Sequence, residues 1–159
     1  MANTAYGLQT MYNLTASIGV SSEGESPSIT WTYAELKNGI DNISEALNET
    51  VQQYFFLSDN GFARNHVTGM APAFTLTGRR IMGDQAQEFI FGAKYGLDTA
   101  RQSSFKLTYT NSTGKTVTNT CDCTICNIQE WSGATTDDSA ISFEIRFDGA
   151  PEVSTTPGA

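Results

Sequence analysis

The sequence predicts a mainly β, α+β domain in which antiparallel strands form a β-sandwich or partly closed barrel flanked by one α-helix. Three observations carry this. Apolar and polar residues alternate with period two over Phe105–Thr110 and Ile141–Phe147. Turn signals at Asp59-Asn60-Gly61 and Asn111–Gly114 separate the apolar runs. Only GDQAQEFIFGAKYG, at 83–96, has helical periodicity. With 159 residues, 39% of them apolar, the chain has the size and composition of one domain with a single core.

Taken in order, residues 1–28 are polar and poorly periodic, ending in SSEGESPS, and predict an N-terminal arm or edge segment. Residues 29–148 hold the β domain. Ile29–Tyr33 is a strand by residue type, Ala34–Asn38 is expected to make a helical turn, and Gly39 stops it. In NISEALNETVQQYFFLSDNG, Val51, Phe55 and Leu57 share one face while Tyr54 and Phe56 share the other, so both faces need cover. That cover is either a neighbouring subunit or helix, or the interior of the monomer itself. Asp59-Asn60-Gly61 turns the chain, and Phe62–Gly69 reads as the start of a second loop. Phe74 and Leu76 make a short strand before the helix.

The helix is expected over 84–95. Asp84 is placed as N-cap with Gln87 as its reciprocal partner, Ala86, Phe89, Ile90 and Ala93 form the buried stripe, and Gly96 closes it. On that stripe Phe89 and Ile90 pack on the sheet, leaving Phe91 and Tyr95 to meet a neighbour. After Phe105–Thr110, a long strand runs from Lys115 towards Trp131. In the last strand Ile141, Phe143, Ile145 and Phe147 face in while Ser142, Glu144 and Arg146 face out. Residues 149–159 are expected to form a flexible tail.

No catalytic constellation emerges. His66, the only histidine, lies in RNHVTG without a nucleophile motif nearby, and the carboxylates are scattered through loops and outward strand positions. No phosphate-binding loop, dinucleotide fingerprint or zinc-protease helix is present. In CDCTIC, strand geometry sends Cys121 and Cys123 to one face and Cys126 to the other, so the three thiols do not converge on a metal and read as buried free thiols. A change of parity predicts a bulge between Ile125 and Ile128. No cofactor is expected. A net charge of −8 argues against tight binding of nucleic-acid phosphates. MANTAYGLQTMYNLT has neither a basic region nor an apolar run of signal-peptide type, and the apolar runs are too short to span a bilayer, so a product of the cytoplasm without a membrane partner is expected. Four Asn-x-Ser/Thr triplets, from Asn13, Asn42, Asn48 and Asn111, then read as turn and strand composition.

The words NGIDNISEALNETVQQYFFLSDNGF, VTGMAPAFTLTGRRIMGDQAQEFIFGAKYGLDTARQSSFKLTY and SFEIRFDGAP, in this order and spacing, resemble the major tail tube proteins of long-tailed phages of Gram-positive hosts. The resemblance covers about 38–151, with FTLTGRRIMGDQAQEFIFG as its best marker, while the first 37 residues carry little of it and CDCTIC is not a mark of that family. It implies a β-sandwich with one helix, closing into hexameric rings that stack into a tube through which DNA leaves the capsid. It also implies a virion location, a structural rather than enzymatic role, and a tape measure protein and tail terminator or distal tail proteins as partners, with DNA passing unbound.

Within that frame, Val51, Tyr54, Phe55, Phe56, Leu57, Asp59, Asn60, Phe62, Phe91 and Tyr95 are the candidate subunit interface. Glu130, Glu144 and Asp148, with Arg146 partly offsetting them, are the candidate residues facing the lumen. Two other readings compete: the inner tube of a contractile tail or tailocin-like injection machine, and a β-sandwich carbohydrate-binding or adhesin module. The second would need an exposed aromatic platform, for which Trp31 and Trp131 are candidates, but each lies in or beside an apolar strand pattern and reads as core or interface.

Overall fold

The computed structural model describes residues 8–25 and 27–156. Ten strands and one helix follow in order: β1 (Thr15–Glu23), β2 (Thr30–Glu35), β3 (Ile40–Ala46), β4 (Thr50–Phe55), β5 (Ala63–Gly69), β6 (Ala73–Arg79), α1 (Gln85–Gly92), β7 (Gln102–Thr110), β8 (Thr116–Gln129), β9 (Ala140–Phe147) and β10 (Glu152–Thr156). Eight strands form one antiparallel sheet in the order β2-β1-β7-β8-β9-β6-β3, with β10 attached to β8. β4 and β5 form a separate hairpin.

β8 is the spine. β7 pairs with it from Thr116 to Thr124 along one edge, while the other edge is shared, first by β10 over Thr116–Thr120 and then by β9 from Cys123 onward. The register with β9 shifts between Cys126 and Gln129, and Asn127 takes a left-handed φ of 52°, so the expected bulge is present.

One core unites both ends of the sheet with the helix. Ile18 of β1, Leu76 of β6, Ile90 of α1, Phe105 of β7, Ile125 of β8 and Phe143 of β9 are all essentially inaccessible to solvent and belong to one apolar cluster. Burying each such side chain contributes about 1.5–3 kcal/mol, so the cluster alone explains why the helix stays on the sheet. The inward set of β9 follows the alternation in its sequence, with Ile141, Phe143 and Ile145 buried and Phe147 partly so.

Several expectations are corrected. The segment expected as an arm or edge is, over Thr15–Glu23, an interior strand between β2 and β7, with Ala16, Ser17 and Ile18 buried and the Ser103 hydroxyl donating to Gly19 O. Its small residues and a bulge between Gly19 and Ser21 hide the alternation. Residues 1–7 and 26 of that segment lie outside the described residues, as do 157–159 of the expected tail. The rest of that tail includes β10, held by five residue pairs with β8. Ala34 and Glu35 complete β2 instead of making a helical turn, Leu36 N–H donates to Ala16 O, and the turn comes at Gly39 with φ 74°. The Phe62–Gly69 segment expected as a loop contains β5.

α1 starts as expected, with the Asp84 carboxylate accepting from Gln87 N–H at 3.2 Å, but it ends at Gly92 with Ala93 as C-cap, ahead of Gly96. Gln87 does not return the bond to Asp84. Fully buried, its side chain accepts from Ile81 N–H and from Arg80, and donates to Asn38 O and Arg79 O, stitching α1 to the chain on two sides.

Candidate assembly surface

The β4–β5 hairpin is the most unusual part of the surface because it is apolar and belongs to no core. Val51 pairs with Val67 and Tyr54 with Arg64 across the ladder. The connection is a 3₁₀ turn at Leu57–Asp59 followed by Asn60 and Gly61, both in positive φ at 51° and 87°. Arg64 clasps the Asp59 carboxylate with Nε and Nη2, each at 2.9 Å, which fixes the turn to the second strand. The Tyr54 and Phe56 rings stack at 5.7 Å with only 9° between planes, and His66 meets Tyr54 edge-on.

Val51, Tyr54, Phe55, Phe56, Leu57, Phe62 and Val67 are nonetheless exposed, Leu57 completely and Phe62 by 77%. Neither face of β4 is covered by its own chain, which removes the expectation of a strand enclosed within the monomer. An isolated two-stranded hairpin is marginal in water, and apolar residues on both of its faces call for an external partner. Val67 was absent from the sequence-derived set because ARNHVTG has too few apolar residues to signal a strand.

Around the helix the picture divides. Tyr95 is 89% exposed, as expected for a residue free to meet a neighbour. Phe91 is not: it is buried, edge-on to Phe143 at 6.3 Å and under the Arg80 guanidinium at 4.9 Å. The buried stripe of α1 is Ala86, Gln87, Ile90 and Phe91, rotated from the predicted one because the polar Gln87 goes inward, and this leaves Phe89 only partly buried.

Glu130, expected to face a lumen, is the hub of an ion network. Its carboxylate accepts from Arg80 Nε at 2.9 Å and Lys94 Nζ at 2.5 Å, and Arg80 also reaches Glu88 at 3.0 Å. Burial opposes ionisation of Glu130, but the hydrogen bonds from Lys94 and Arg80 outweigh it and hold the carboxyl below its ordinary range. Glu88 is held low first by the Gly83 N–H and then by Arg80. Glu144 keeps its outward position on β9, where hydrogen bonds from Arg146 at 2.6 Å and Asn127 at 2.8 Å lower its pKa. Asp148 accepts from the Thr124 hydroxyl at 2.6 Å.

Among the described residues the cysteines do not gather into a metal site. Cys121 and Cys123 are buried on one face of β8 and Cys126 is half-buried, with burial pushing the Cys121 and Cys123 thiols up, away from reactive thiolate. No group of three His, Cys, Asp or Glu is placed to hold a metal among those residues, and no helix of the structure is long and apolar enough to cross a membrane. Trp31 is half-buried over Gly19, whereas Trp131, read from sequence as core or interface, is exposed.

No protein-family model matches the sequence, and no curated protein does. Solved structures do match. A chain from the tail of an empty GTA particle, reconstructed with C6 symmetry, superposes with a TM-score of 0.64 at 12% identity, covering 92% of this chain and 99% of that one. A chain from the sheath–tube complex of an extracellular contractile injection system in the extended state gives 0.57 at 12% identity, covering 97% and 95%. A chain from the tube-terminating cap of the anti-feeding prophage gives 0.56 at 14% identity and 96% of both chains. The chain thus has the tail-tube-like fold, mostly β with one helix, that is found in a GTA tail and in contractile injection assemblies.

Proposed function

We propose that this chain is a structural, non-enzymatic subunit of a tail tube, in which six copies close into a ring, rings stack, and the bore conducts DNA out of a virion. The observation that carries this reading is the β4–β5 hairpin, apolar on both faces and projecting from a domain whose core is already complete without it. The fold supports it through the likeness to a tail reconstructed with six-fold symmetry. On this reading the chain resides in the virion tail, a tape measure protein occupies the bore during assembly, terminator and distal tail proteins cap the ends, and the host is a Gram-positive bacterium. Val51, Tyr54, Phe55, Phe56, Leu57, Asp59, Asn60, Phe62 and Tyr95 form the subunit interface.

Glu144, Arg146 and Asp148 line the bore in this proposal. Because Arg146 is matched to Glu144, Asp148 supplies the unneutralised charge of that row. Glu130 leaves the set, its charge being matched by Arg80 and Lys94.

A second reading, the inner tube of a contractile injection machine, is favoured by the likeness to the sheath–tube complex. Both readings require polymerisation, and negative-stain electron microscopy of the purified protein tests it. Hollow tubes or rings are expected, and a persistent monomer at high concentration would overturn both. Phe56→Asp is expected to leave soluble, folded protein that forms no tubes, since it places a charge where an apolar ring must be covered.

A further inference from the structure

A second exposed apolar surface lies on the flank of α1, away from the hairpin in sequence. Tyr95 and Trp131 flank Lys94 there, Trp131 exposed over 60% of its surface, and Leu97, two residues on from Tyr95, is exposed as well. Lys94 Nζ lies 5.1 Å from the Tyr95 ring centre and 5.8 Å from that of Trp131, while its charge is taken up by Glu130. The result is an aromatic platform set on a rigid base, since Arg80, with its side chain almost wholly buried, anchors the same carboxylate from beneath.

The charges of the two surfaces are already matched. Apart from His66, counted neutral, residues 50–69 contain one acid and one base, Asp59 and Arg64, clasped to each other. The four charges under the platform, Arg80, Lys94, Glu88 and Glu130, likewise join in one balanced network. The whole of the chain's net −8 therefore sits elsewhere. Two copies repel over most of their surfaces, but the ion pairs of the hairpin and of the Glu130 network are already made within each copy, leaving Asp98 beside Leu97 as the charge at the platform's edge, and joining hairpin to platform brings aromatic residues of the kind that dominate interface cores together on both sides.

Resting on the tail-tube reading, we infer that the β4–β5 hairpin of one copy docks on the Tyr95–Leu97–Trp131 platform of the next. Such a contact uses different surfaces on its two sides. It is heterologous, and a heterologous contact that closes makes rings instead of stopping at a dimer.

Two variants test this together: Phe56→Asp, which spoils the hairpin, and the double variant Tyr95→Ser/Trp131→Ser, which spoils the platform. Each alone is expected to sediment as a monomer under conditions where the wild type forms tubes. Mixed one to one, they are expected to give a heterodimer and nothing larger, because one intact hairpin meets one intact platform and each free end is blocked. Platform-variant tubes like those of the wild type, as a hairpin-on-hairpin contact would produce, overturn the inference while leaving the tube reading standing. A mixture that stays monomeric overturns it as well. Thermal melts of both variants control for folding. Independently of any variant, acrylamide quenching of wild-type tryptophan fluorescence is expected to fall about twofold on assembly as Trp131 is covered, and unchanged quenching in tubes counts against the platform. Wild-type protein that never assembles refutes the underlying reading instead.

Discussion

At Gly78 the backbone of β6 runs so close to the turn before β3 that a Cβ there would lie 1.9 Å from the carbonyl oxygen of Gly39. Gly39 itself holds φ 74°, and its carbonyl accepts from Arg79 N–H at 2.7 Å. Two glycines thus permit one close crossing of main chain, and neither tolerates a side chain. Gly78→Ala is expected to cost about 1–3 kcal/mol through forced displacement of β3, measured as a lower urea midpoint with an unchanged slope. Retained stability would show that the turn can yield. Residue-scale detail of this kind was only half legible in the sequence. Gly39 stood out as a stop signal, but nothing near Gly78 announces that another strand passes against it. Phe91 and Gln87 failed for a related reason. Hydrophobicity ranks the polar Gln87 outside, yet four hydrogen bonds make its burial favourable, and the helix rotates to carry Phe91 inward with it.

At the scale of elements, strands with strict alternation were legible and those without it were not. β9 and the Phe105–Thr110 half of β7 read correctly because one of their faces is core and the other is not. β1 and β5 were missed, the first because of its small residues and bulge, the second because its partner β4 supplies most of the apolar surface of the pair. α1 is fastened by more than its stripe, since the network through Glu130 ties Arg80 before the helix and Lys94 after it to the end of β8. The carboxyls of Glu88, Glu130 and Glu144 are held below their ordinary values in the folded state. The unfolded chain therefore binds more protons than the native one as pH falls below about 4.5, and stability is lost there while staying flat above pH 6. A melting temperature followed from pH 7 to pH 3 should show that fall, and Glu130→Gln should start lower at pH 7 and lose less on acidification. A melting temperature that rises on acidification would contradict the network's role.

Over the whole molecule, the net charge of −8 opposes association of copies, and on the tail-tube reading the two exposed apolar surfaces favour it. Raising salt from about 0.01 M to 0.15 M shortens the screening distance from about 30 Å to about 8 Å, which weakens repulsion between copies while leaving apolar burial in place. The protein concentration at which tubes first appear, followed by light scattering, is expected to fall over that range. A threshold that rises with salt would mean that attraction between opposite charges drives assembly. The sequence could reveal the excess of acid but not where it is absent, because neutrality of the hairpin and of the platform depends on pairings between residues as far apart as Arg80 and Glu130.

The exposed hairpin also bears on timing. A two-stranded ribbon outside the main sheet gains little order from its own domain, so much of the entropy of fixing its side chains is lost only when it docks. On the tail-tube reading, two free subunits meeting in solution face that loss for one contact, whereas a subunit arriving at a finished ring gains many at once. Growth from an existing end then outpaces spontaneous starts. On that same reading, a cell filling with this chain would hold a supersaturated pool of single subunits, with the number of tubes decided by how many seeds other components provide.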